Sequence, residues 1–284
     1  MIEIVLPYVE NNMEFYKILK NLMREKRDYF FTDMKITHLY GNVPWSYWNS
    51  NKNTNFNSRK IYLEKDISDF NNETIFPIIL DIANINLSEM DLEDKKLNMI
   101  LKELNNGSNK ISCSDLNIMS LLKEKYPYYD YIFSENAGLI FPFTNEIIDI
   151  MVEQEEINAI ILDKKLTDEN FNFSSVKNKT KVYIKIDSSC NNCSKYKECL
   201  KNENELQYSF SSNSNLEVCS ETKILQKSNL KEEINYYRKM GYTKFILDSP
   251  LSKIPLDIYN LYLILSLKNE NNDSILKEVY LSKW

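Results

Sequence analysis

The stretch Lys181-Val182-Tyr183-Ile184-Lys185-Ile186-Asp187 carries the pattern that decides the fold. It is rich in β-branched residues, too short for a typical helix, and ends on a carboxylate. The same sequence of features, a short β-rich run, a polar residue and then a helical period, recurs along the chain. The runs are 2–6, 34–39, 75–80, 110–113, 131–133, 159–162, 181–186 and 245–247, eight in all. Between them, apolar residues fall at helical spacing. Phe15, Ile18, Leu19, Leu22 and Met23 share one face, as do Leu97, Ile100, Leu101 and Leu104, and then Ile118, Leu121 and Leu122. Thr144 reads as an N-cap, Gly241 as the glycine that closes a helix, and 256–267 as a last helix. Parallel strands need crossover helices, and closing the sheet leaves no exposed edge. The expected fold is therefore α/β, a (β/α)8 TIM-like barrel formed as one domain over 1–284, with an open doubly wound sheet as the alternative.

Nearly every run ends on a polar or reactive side chain: His38, Asp81, Ser114 with Asp115, Ser134 with Asn136, Asp163, Asp187 and Asp248. In a barrel the carboxyl ends of the strands converge on one mouth, where substrate sites are built. The plainer reading of any one of these residues is a cap on the next helix. The pattern is irregular after the second run, where 41–74 carries no amphipathic helix but an Asn-rich loop with Trp45, Tyr47 and Trp48. It is interrupted again after the seventh, where a cysteine-bearing segment occupies 188–222. Both segments would lie over the same mouth.

The chain has 284 residues, a formal net charge of −6, 43% hydrophobic and 27% charged residues, which excludes disordered and fibrous classes. No apolar run approaches the ~18 residues of a membrane span. The start, 1–6, lacks the basic region of a signal peptide, so the expected location is the cytoplasm. The acidic balance argues against general nucleic-acid binding and leaves RNA or a protein as permitted partners beside a small-molecule substrate. Abundant Asn, Lys and Ile with only four glycines reads as coding bias, so Asn-rich stretches carry little weight.

Four of the five cysteines, Cys190, Cys193, Cys199 and Cys219, follow the spacing C-x2-C-x5-C-x19-C. Two thiolates two residues apart can reach one metal from a single turn, and two more complete a tetrahedral sulfur set suited to zinc or an iron–sulfur cluster. Disulfides are disfavoured in a reducing compartment. Because the loop would issue from a strand end over the mouth rather than stabilise a coreless module, a [4Fe–4S] cluster is favoured over zinc. Cys113, alone at the end of a run, reads as a small core residue.

A barrel with four cysteines late in the chain resembles the collagenase-like peptidase family, which includes iron–sulfur proteins of tRNA and ubiquinone hydroxylation. The resemblance implies a cluster held by Cys190, Cys193, Cys199 and Cys219 beside the mouth. Radical S-adenosylmethionine barrels are set aside, since the segment after Leu6 holds no cysteine.

The absence of a P-loop and of G-x-G-x-x-G leaves triphosphate and nicotinamide chemistry unsupported. His38 is the only histidine, so any histidine-dependent device uses it or does not exist. The expected catalytic set is His38, Lys185, Asp187 and Asp81. Lys185 shares a face with Asp187 and could bind an anionic group or form a Schiff base if desolvated, whereas Lys164 opposes Asp163. Tyr40, Trp45, Trp48, Asn136 and Asp248 are the expected substrate contacts, the tryptophans either stacking on a ring or anchoring the loop as its own small core. The function expected is an iron–sulfur-dependent barrel enzyme acting on a small organic or nucleobase substrate. The alternative is a non-catalytic binding or scaffold barrel with a four-cysteine zinc loop.

Overall fold

A computed structural model of the chain describes residues 1–7, part of 17–29, 33–42, 76–82, 84–187 and 227–248. Within them eight parallel strands close into a barrel in sequence order: β1 (Ile2–Pro7), β2 (Met34–Asn42), β3 (Ile78–Ile82), β4 (Lys110–Cys113), β5 (Asp130–Phe133), β6 (Ala159–Leu162), β7 (Val182–Asp187) and β8 (Lys244–Asp248). This is the expected (β/α)8 architecture. The segments 43–75 and 188–226, the helix expected at 256–267 and most of the first apolar face lie outside the described residues.

Four helices cover the described outer face: α1 (Lys95–Glu103), α2 (Leu116–Lys125), α3 (Asn145–Glu153) and α4 (Lys227–Lys239). Their ends follow from local chemistry. The Asp94 carboxylate accepts from the Lys96 and Leu97 amides at 2.9 and 3.2 Å, and Asp115 accepts from Asn117 and Ile118 at 2.7 and 3.0 Å. Thr144 accepts from the Ile147 amide at 3.3 Å, as its sequence context suggests. Gly241, at φ +98°, terminates α4: its amide bonds Arg238 O at 2.9 Å and the Tyr242 amide bonds Tyr237 O at 3.2 Å. The Tyr237 and Tyr242 rings meet at 6.0 Å across that turn.

Two cores result. Leu97, Ile100 and Leu101 of α1 and Ile118, Met119 and Leu122 of α2 pack on outward strand residues such as Leu39, Leu80, Ile111 and Cys113. The second core fills the barrel: Val5, Tyr40, Ile79, Ile132, Ala159, Ile161, Tyr183 and Ile246. A register path once round the barrel returns about eight residues lower, the shear of this barrel class, so side chains at one height come from alternate strands. Tyr40, Ser112, Ile161 and Ile246 form one level, and Val5, Ile79, Ile132 and Tyr183 the level beneath it. Under these lie His38, Lys110, Ala159 and Lys244, and above them Asp81, Ser134 and Lys185.

Two asparagines, Asn109 buried and Asn158 exposed, join strand starts. Asn109 Oδ1 accepts from the Ile78 amide at 2.8 Å while its Nδ2 donates to Leu104 O at 2.9 Å, and Asn158 Oδ1 accepts from the Tyr131 amide at 2.8 Å.

Candidate functional site

Above the apolar levels, the upper end of the lumen is charged. Lys185 comes from β7, where alternation turns it inward between Ile184 and Ile186, both of the outer core. Its Nζ lies 2.5 Å from Glu135 Oε1, and the two side chains are only 4% and 1% exposed. Glu135 begins a 3-10 turn, Glu135–Leu139, buried throughout. The turn is held by Ser134, whose Oγ accepts from the Asn136 amide at 3.3 Å and from Asn136 Nδ2 at 3.2 Å. Ser134 in turn donates to Glu135 Oε2 at 3.3 Å. From below, the Tyr40 hydroxyl reaches the same carboxylate at 3.3 Å from Oε1 and 3.4 Å from Oε2, and the Tyr40 ring centroid is 5.8 Å from Lys185 Nζ. The carboxylate thus faces the Lys185 amine and two hydroxyls at once.

Of the expected residues, Lys185, Tyr40 and Asn136 therefore meet in one buried cluster. Asp81, wholly buried, stands at the same height as Lys185. Asp187 and Asp248 are the last residues of β7 and β8 and face each other in register; their side chains lie outside the described residues, as do Trp45, Trp48, Cys190, Cys193, Cys199 and Cys219. Among the described residues no group of three His, Cys, Asp or Glu side chains is arranged to hold a metal. No helix of the described residues is long and apolar enough to cross a membrane. Lys164 turns to the outside, 3.5 Å from Glu233 of α4, and Cys113 sits in the outer core with burial pushing its thiol up to about 12.

The placement of His38 is a correction. It does not end its strand: β2 continues four residues further to Asn42, because Leu39 through Asn42 pair with Ile78 through Asp81. His38 thus lies below the apolar levels, where β4, β5 and β8 start. Burial lowers its pKa to about 4, and Lys110 and Lys244 push the same way, while Asp130 and the Ser108 backbone oppose them. Its Nδ1 has no hydrogen-bond partner among the described residues. Nearby, Lys110 pairs with Asp130 at 3.1 Å and Lys244 lies 5.2 Å from the Tyr183 ring centroid.

Glu135 is the site residue that sequence reading passed over. Strict alternation pairs Ser134 with Asn136 and points Glu135 away; the 3-10 turn reverses that. Ser134 two residues ahead of an amide it can cap was the available signal. No protein-family model matches the chain, and no curated protein matches it.

Proposed function

We propose that the chain is an enzyme acting on a small organic or nucleobase substrate at the carboxyl end of the barrel, with an iron–sulfur cluster held by Cys190, Cys193, Cys199 and Cys219. The observation that carries the reading is the buried Lys185–Glu135 pair with Tyr40 against it. Two charges taken out of water add little to stability beside an apolar pair of the same shape, so a pair at the end of the lumen where barrel enzymes build their sites is better explained by chemistry than by folding. Lys185 would bind the substrate's polar group, Glu135 would accept or return a proton, and Tyr40 would orient Glu135 and offer a ring face.

The cluster reading rests on the cysteine spacing, on the resemblance to the collagenase-like peptidase family, and on Cys190 following the last residue of β7 by three positions. When bound, such a cluster supplies one-electron chemistry beside the mouth. Anaerobic purification with absorbance and metal analysis tests it. About four irons per chain, lost in Cys193→Ser, is the expected result. One zinc and no iron would leave the scaffold reading as the better account.

A further inference from the structure

Lys185 is the one lysine that is buried among the described residues. Its surroundings combine two things rarely brought together: an apolar floor, Tyr40, Ile161 and Ile246, and a carboxylate at 2.5 Å. An ammonium held in such a volume needs an acid partner, and the same partner is the base that can remove its proton. A neutral primary amine with a carboxylic acid beside it is what carbinolamine formation and dehydration require.

We propose that Lys185 forms a Schiff base with a small aldehyde or ketone that enters the mouth. The proposal rests on the mouth being the substrate site, and not on the cluster. Glu135 takes a proton from the Lys185 ammonium, and the free amine adds to the carbonyl carbon, forming the N–C bond as the C–O π bond breaks; the nitrogen then gives up one proton and the oxygen takes it up, leaving a neutral carbinolamine. Glu135 then returns its proton to the carbinolamine hydroxyl, the C–O bond breaks, and water leaves. Ammonium and carbonyl have become a protonated imine and one water, with no oxidant or reductant consumed. Tyr40 positions Glu135 through its hydroxyl, and Ser134 does so from the other oxygen. With 4% of its side chain exposed, Lys185 reacts only with compounds small enough to enter, and bulky amine reagents label the surface lysines instead.

The test uses the full chain, incubated separately with pyruvate, glyceraldehyde and benzaldehyde in the presence of cyanoborohydride, then intact mass and peptide mapping. At least one probe should give a dominant single adduct on Lys185, absent from Lys185→Arg. Glu135→Gln should slow trapping by about a hundredfold, the low end for a positioned proton-transfer group. If Lys185→Arg does not fold, the mapped adduct of the wild-type protein decides. Adducts spread over surface lysines for all three probes, with Lys185 unmodified in the folded protein, overturn the proposal. Trapping at Lys185 in a protein without iron sustains it while removing the cluster; iron and non-covalent ligand binding at the mouth without trapping do the reverse.

Discussion

Glu135 is held by Lys185, Tyr40 and Ser134 at once, so removing it takes the nearest carboxylate away from a buried lysine. Glu135→Ala is expected to cost about 3–5 kcal/mol in urea unfolding, whereas the double variant Lys185→Met with Glu135→Leu should recover most of that stability and no ligand response. His38 makes the opposite kind of prediction. Folded, it gives up its proton near 4; unfolded, near 6.5. Between those values the unfolded chain holds more protons, so stability falls as pH drops from about 6.5 towards 4, by up to about 3 kcal/mol. His38→Asn should flatten that part of the pH–stability curve, read from urea midpoints at pH 7 and pH 5, and leave any mouth ligand bound as tightly as before. A mouth ligand lost in His38→Asn at unchanged stability would contradict its placement below the apolar levels.

The turn Glu135–Leu139 depends on one close approach. A Cβ at Gly138 would stand 2.7 Å from Leu166 Cβ and 2.8 Å from Leu166 O, so Gly138→Ala must move the turn that carries Glu135. A loss of about 1–3 kcal/mol together with weakened mouth binding is expected from thermal melts and ligand titration. Gly241→Ala, strained at positive φ, should cost about 1 kcal/mol with no effect on the mouth. Elements of this kind were partly legible in the sequence. Thr144 and Gly241 announce helix ends because capping is local chemistry. The third strand was harder: the apolar run begins at 75, but Pro77 has no amide to give, and the strand starts at Ile78. That shift places Asp81 inside the strand rather than after it. Asn109 and Asn158 were invisible as strand ties, since their partners lie 31 and 27 residues away.

At the scale of the whole molecule, the recurrence of run and polar end was enough to read a closed parallel barrel, because eight such units leave few other ways to bury eight apolar strands. Heights within the lumen were not readable, since they depend on shear summed over all eight strands. Hence alternation turns Lys185 inward, as its pair with Glu135 shows, while the end of the apolar run puts His38 at the wrong end of the lumen. The described barrel closes without any of the four clustered cysteines, so Cys193→Ser should leave the main unfolding transition within about 0.5 kcal/mol of the parent, and under the proposed cluster reading should also strip the metal. The two apolar levels between the charged ends have a further consequence. The chain contains one histidine, and it sits on the far side of those levels from the mouth. Its two carbon-bound ring protons therefore give one isolated pair of NMR signals that reports whether the barrel is closed and ignores what occupies the mouth, a built-in control for every ligand titration carried out on this protein.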